Sequence, residues 1–195
     1  MVLLEDDRLM VRRLSPADYP VLARWLNDPR VLKFYEGRDN PYDLAKVEQV
    51  FGSKTNRSVT ACIVSYKGRD IGYVQFYPVP EPVKVGLGMN PRLIVYGMDQ
   101  FIGEPDYWNR GIGTALVKSV ADYVRTNLGA DKIVMDPQAW NTRAIRCYEK
   151  AGFRKAKWLP KHEWHEGEWR DCWLVVCPGE EDEIVYRGDG TKSTV

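Results

Sequence analysis

Residues 93–128 constrain the fold more than any other stretch. The segment 93–102 (LIVYGMDQFI) is mostly apolar and of strand length, and reads as a central strand. From Ile112 onward, Ala115, Leu116, Val120, Ala121, Val124 and Leu128 recur at helical spacing until Gly129 closes the pattern. The helix opens on the turn Trp108-Asn109-Arg110-Gly111-Ile112-Gly113-Thr114. Glycines there let backbone N–H groups approach a ligand closely, and the helix start adds a partial positive charge, which suits a diphosphate. By itself the turn fits tight packing equally well. The chain has no Walker pattern and no dinucleotide fingerprint at this point.

The flanking sequence supplies the rest of a mixed sheet. Residues 8–14 read as a strand running into the helix start Ser15-Pro16, with a helix over 17–27 and a second over 42–51 after Asn40-Pro41. Segments 59–65 and 70–77 form a hairpin, and 78–92, with four prolines and two glycines, reads as a long hairpin loop. A strand over 131–136, a helix over 142–151 with Asn141 as its possible cap, and strands beginning at Phe153 and over 171–177 complete the order. The stretch KHEWHEGEW separates those last two strands, and 178–195 is expected to be a flexible tail. The expectation is one α/β (α+β) domain over 1–177, with about seven strands and about four flanking helices.

Charge and composition exclude other classes. Twenty-eight basic residues against 27 acidic give a net charge of +1, which argues against a nucleic-acid binder. Four widely spaced cysteines without a CxxC, and two histidines, offer no legible metal site. The acidic start Glu5-Asp6-Asp7 is unlike a secretory signal, and the longest apolar run is six residues, so a cytoplasmic protein without a membrane segment is expected.

Downstream, Asn141, Ala144, Tyr148 and Gly152-Phe153 follow a strand, with Ala144 and Tyr148 one helical turn apart. With the glycine turn, this resembles the GCN5-related N-acetyltransferase (GNAT) superfamily. The likeness covers roughly residues 8–177 in element order and 97–153 in motif detail. Within the superfamily the sequence is similar to aminoglycoside 6′-N-acetyltransferases, through 71–77 (IGYVQFY), 97–100 (GMDQ), Asp136-Pro137 and 141–153 (NTRAIRCYEKAGF). The resemblance implies a mostly antiparallel sheet splayed at an acetyl-coenzyme A site. It also implies an Asn and a Tyr near the cofactor, a drug pocket containing Asp99 and Asp136, and an aminoglycoside as the polycationic substrate. Trp108 departs from the Gln or Arg that the superfamily places first in the turn, and its side chain is not expected to serve a phosphate. That work is expected from main-chain N–H groups of Arg110 to Thr114, helped by the Arg110 charge, with Trp108 and Asn109 beside the cofactor.

Acyl transfer from a thioester to an amine needs a neutral amine, a polarised carbonyl and a protonated leaving thiol. Asp99 is the candidate to anchor the ammonium and take its proton; the alternative is a strand-end Asp that satisfies a turn. Asp136 is either a second ammonium anchor or an Asp-Pro turn starter. Main-chain N–H groups of Phe101 and Ile102 are the expected donors to the thioester carbonyl. Tyr148 is either the phenol that protonates sulfur or a half-buried helix aromatic, and Asn141 either a cofactor ligand or a helix cap. Arg143, Arg146 and Lys150 read either as a solvated face or as a set from which one cation meets a coenzyme phosphate. Tyr35, Glu36, Gln75 and Tyr77, with Phe34, Glu81 and the stretch from Trp158 to Trp169, are expected around the substrate. A GNAT enzyme for another amine (a siderophore hydroxylysine or a protein N-terminus) and a coenzyme A-binding module without turnover remain as alternatives. The chain is expected to be a monomer or homodimer.

Overall fold

A computed structural model describes residues 1–54 and 58–177; the expected tail, 178–195, lies outside the described residues. The elements are β1 (Val2–Glu5), β2 (Leu9–Arg13), α1 (Tyr19–Trp25), α2 (Pro29–Leu32), α3 (Leu44–Lys54), β3 (Thr60–Tyr66), β4 (Arg69–Pro78) and α4 (Glu81–Gly86). They continue as β5 (Val95–Ile102), α5 (Ile112–Leu128), β6 (Lys132–Met135), α6 (Thr142–Lys150), β7 (Arg154–His165) and β8 (Glu168–Cys177). All eight strands join one sheet in the order β1-β2-β3-β4-β5-β6-β8-β7, and only the β5–β6 pair is parallel.

The described residues thus hold one strand and two short helices more than the sequence predicts. Strand β1 pairs with β2, its Leu3 and Leu4 resting on the core, although four residues are too few for alternation to show. Helix α4 replaces part of the expected loop, because Pro80 and Pro82 fall at and just after its start, where no N–H is needed. The stretch 161–169 is the tip of a long β7–β8 hairpin with its turn at Glu166-Gly167, not a separate connection. Pro160 and a register shift between Leu159 and Glu163 hide that strand's period. Both are tolerated because β7 is an edge strand.

The two faces of the sheet carry separate cores. Leu116, Val117, Val120, Ala121 and Val124 of α5 pack on Val11, Val64, Val74, Met98, Ile133 and Val175. On the opposite face Leu22, Trp25, Leu26, Val47 and Phe51 of the N-terminal helices cover Ile63, Tyr73 and Phe101. Alternation along β5 therefore sends Met98 and Gln100 to the α5 side, and Asp99 and Phe101 to the other. At the end of β5, a side chain on Gly103 would stand inside the Trp25 ring. Gly103→Ala is accordingly expected to cost about 1–3 kcal/mol in urea denaturation.

Among the described residues, no helix is long and apolar enough to cross a membrane. Nor is any group of three or more His, Cys, Asp or Glu placed to hold a metal.

Candidate active site

The site begins where the sheet opens. Strands β5 and β6 pair only from Val95↔Lys132 to Gly97↔Val134, while β4 follows β5 to Ile102. Val79 N–H bonds the carbonyl of Val95, and Gly103 N–H that of Ile71, both at 2.8 Å. These directly opposed pairs fix the alternation: odd residues of β5 turn their N–H and C=O toward β4, and even ones away from it. Phe101 therefore spends its amide on β4, contrary to expectation, whereas Gln100 and Ile102 direct theirs into the gap. The carbonyl of Ile102 is capped by Trp108, whose indole Nε1 donates to it at 2.8 Å. Trp108 thus closes the end of the splay.

A cavity of about 610 Å³ follows from this gap along α5 and α6. Asn109 and Gly111 both take left-handed backbone (φ 60° and 77°), which swings the turn into the helix; Gly111 is its N-cap and offers no side-chain cap. The first amides of α5, at Ile112, Gly113 and Thr114, are thus the unpaired donors of a helix start. The cavity wall includes Phe101, Ile102, Trp108, Asn109, Gly111, Gly113, Thr114, Asn141, Ala144 and Tyr148. Two expected residues stay off it. The Arg110 guanidinium lies over the Tyr107 ring, 5.5 Å from its centre, and the Ile112 side chain is buried in the core.

Arg143, Arg146 and Lys150 are exposed, as expected of a solvated face, and all three also line this cavity, which has no acidic side chain in its wall. The Arg143 guanidinium sits in the corner made by the edge-to-face rings of Phe34 and Trp108, 4.2 Å from each centre. Uncapped amides and three cations make a donor set that fits the diphosphate and phosphate groups of coenzyme A.

A second cavity, of about 760 Å³, lies toward the α1 face, and its wall shares Phe34, Gln100, Asn141 and Tyr148 with the first. Tyr35, Glu36, Gln75, Tyr77, Asp99 and Asp136 all line it. So do Asp39, Glu163 and Glu166, making six carboxylates against one basic side chain, His162. Glu81 stands apart, exposed on α4, and of the tryptophans in 158–169 only Trp164 reaches the wall. Asp99 accepts from Gln75 Nε2 at 2.6 Å, and Gln75 Oε1 accepts from the Tyr73 hydroxyl at 2.7 Å. Tyr77 also bonds Asp99; burial first, then the charges of Asp99 and Asp136, keep that phenol firmly protonated. Asp136 meets His162 Nε2 at 2.8 Å. Glu163 accepts from Gln138 Nε2 at 2.8 Å, and burial, helped by the charge of Asp136, raises its carboxyl above the usual range.

At the shared wall the Tyr148 hydroxyl accepts from Gln100 Nε2 at 2.7 Å. Burial, followed by the neighbouring Cys147 and Asp99, pushes this phenol well above its ordinary value, so it keeps its proton. Asn141 does cap its helix, accepting from Ala144 N–H at 3.2 Å, and it also faces both cavities. The hairpin tip closes the acidic cavity at one end. Glu166 takes the Arg38 guanidinium in two bonds of 2.6 Å, and His165 Nε2 lies 3.2 Å from the Lys33 carbonyl. Sequence reasoning left Gln100 and Asp39 outside the site, and reached Glu163 and Glu166 only as part of the stretch 158–169. The match at 97–100 already contained Gln100, but nothing in the sequence singles out the two glutamates before the hairpin is folded.

The acetyltransferase (GNAT) domain family matches residues 15–160. A curated relative, aminoglycoside N(6′)-acetyltransferase type 1 of Klebsiella pneumoniae, is 31% identical over 159 residues, covering 77% of this chain and 76% of the relative. The solved structure of AAC(6′)-Ib in complex with ribostamycin and coenzyme A superposes with a TM-score of 0.73 at 27% identity, covering 94% of this chain and 100% of that one. The complex of AAC(6′)-Ib with coenzyme A and kanamycin gives 0.70 at 27% identity, with coverage of 92% and 99%. A splayed sheet, an uncapped helix start beside a basic cavity, and a family match spanning both place this chain in the GNAT acetyltransferase family.

Proposed function

We propose that this protein transfers the acetyl group of acetyl-coenzyme A to the 6′-amino group of an aminoglycoside, directly, in a complex that holds both substrates. One observation carries the reading: two cavities of opposite charge meet at Tyr148, Gln100, Asn141 and Phe34. A basic cavity suits a polyphosphorylated donor and an acidic one a polycationic acceptor, so their junction is where the two substrates meet. The aminoglycosides bound by the similar AAC(6′)-Ib support the choice of amine.

Acetyl-coenzyme A supplies the activated thioester when bound. The amides of Ile112, Gly113 and Thr114, with Arg143, Arg146 and Lys150, hold its phosphates. The Gln100 and Ile102 amides in the splay orient the thioester carbonyl. Asp99 anchors the substrate ammonium and takes its proton, positioned by Gln75 and Tyr77. Asp136 and Glu36 hold further ammonium groups. Tyr148 delivers its hydroxyl proton to the departing sulfur.

The test is thiol release from acetyl-coenzyme A by the purified protein, with the acetylated drug identified by mass. Kanamycin-class drugs carrying a 6′-amine are expected to react, and a 6′-hydroxyl analogue to release no thiol. Turnover confined to peptide N-termini or hydroxylamines would instead support a GNAT enzyme for another amine.

A further inference from the structure

Gln100, half-buried at the junction of the cavities, has hydrogen bonding that is both directional and incomplete among the described residues. Its Nε2 faces two acceptors, the Tyr148 hydroxyl oxygen at 2.7 Å and the Met135 sulfur at 3.7 Å. Its Oε1 is buried without a donor among the described residues. An amide that leaves its own carbonyl unsatisfied invites the opposite orientation, with Oε1 accepting from the phenol. Met135 opposes that flip, because a thioether accepts but cannot donate and would then face a carbonyl oxygen. With Nε2 donating, the lone pairs of Tyr148 are engaged and its O–H must point elsewhere. Tyr148 lines both cavities at this place, so the junction is where that proton can go.

We infer that Gln100, keyed by the Met135 sulfur, is a positioning residue that fixes Tyr148 as a hydrogen-bond donor toward the leaving sulfur. The inference rests on the acetyl transfer proposed above. In that reaction the amine nitrogen bonds to the acetyl carbon as the carbon–sulfur bond breaks, sulfur keeping the electron pair. Nitrogen sheds two protons in becoming the amide: the ammonium gives the first to Asp99, which passes it to water, and the second, released as the amide forms, leaves by the same carboxylate. Sulfur takes the proton of Tyr148, which water restores.

Two variants test the polarity. Gln100→Glu keeps the shape but only accepts, so it turns the phenol proton onto itself; Gln100→Leu removes the donor without adding charge. Calorimetry at pH 9, where an ordinary thiol of pKa near 8.5 is largely ionised, compares coenzyme A with its desulfo analogue. The wild type is expected to prefer coenzyme A by roughly tenfold, the effect of one charge-assisted hydrogen bond. Tyr148→Phe and both Gln100 variants are expected to lose that preference while binding the desulfo analogue as the wild type does. In turnover, Gln100→Glu is expected to lower kcat by about 100-fold with KM for the acyl donor unchanged. Added to Tyr148→Phe it is expected to cost nothing more.

A merely structural role for Gln100 would move the desulfo affinity instead, and that result overturns the inference. So does retention of the coenzyme A preference in Gln100→Leu, or losses that multiply in the double variant. Should Gln100→Glu fail to fold, Gln100→Leu alone reads the same preference. A wild type that prefers coenzyme A yet acetylates no aminoglycoside would sink the proposed substrate while leaving the role of Gln100 intact.

Discussion

Asp99→Asn is expected to lower kcat by about 100- to 1,000-fold while leaving the fold in place. Asparagine keeps an oxygen at the position that accepts from Gln75 Nε2, so the chain Tyr73–Gln75–99 survives the change. What is lost is the negative charge that anchors an ammonium and the base that takes its proton. The deficit is expected to narrow as pH rises toward the pKa of the substrate amine, because the amine then arrives neutral and needs the base less. Asp99→Ala is expected to show the same kinetic loss, with a larger drop in melting temperature because Gln75 and Tyr77 lose their acceptor. Steady-state rates at several pH values and thermal melts separate the two effects. A rate loss that stays constant with pH would remove proton transfer from the account of Asp99.

The largest expected effect on stability lies at Asp18. Its carboxylate accepts from both terminal nitrogens of Arg12, at 2.9 and 2.8 Å, and from the N–H and hydroxyl of Ser15, at 2.8 and 2.9 Å. Arg12 also reaches Asp70 at 2.8 Å. The group ties β2, the turn before α1 and the start of β4 into one unit. Asp18 is nearly buried, so Asp18→Ala strands the Arg12 charge with half its partners, and a loss of about 3 kcal/mol is expected in urea denaturation at pH 7. Burial alone would raise the Asp18 carboxyl, but the bonds from Arg12 and Ser15 outweigh it and hold it below the ordinary range. A depressed carboxyl lends stability that is complete above its unfolded pKa of about 3.9 and disappears as pH falls through the lower folded value. The gap between wild type and variant is therefore expected to shrink below about pH 4. A gap that did not shrink at all as the acid limb is descended would mean that packing, not charge, sets the loss.

The parts legible in the sequence were those governed by local periodicity. Helix α5 runs from Ile112 to Leu128 as its apolar spacing predicts, and Gly129 ends it in left-handed backbone at φ 67°. Gln75, Tyr77 and Asp99 lie around one cavity because the 71–77 and 97–100 matches sit on paired strands, Gln75 opposite Asp99. Strand β1 stayed hidden because four residues pairing at an edge carry no period, and α4 because its prolines read as breakers out of context. The amide directions along β5 depend on hydrogen-bond parity with β4, which pattern does not encode. Arg143 reads as one of several surface cations; only the folded turn brings the edge-to-face pair Phe34 and Trp108 against it. Glu163 and Glu166 enter the site through a hairpin whose length is masked by Pro160 and a bulge.

That hairpin also bears on how such a protein can diversify. Strand β7 sits at the border of the sheet, paired there with β8, and the outer part of the hairpin touches the body through Asp136, Gln138, Arg38 and Lys33. Insertions or deletions within residues 161–167 would reshape one wall of the acidic chamber without disturbing α5 or the turn that opens it. Acceptor range and donor recognition are thereby separable under selection: drift at a peripheral ribbon can change which amines fit while the inherited transfer chemistry stays untouched.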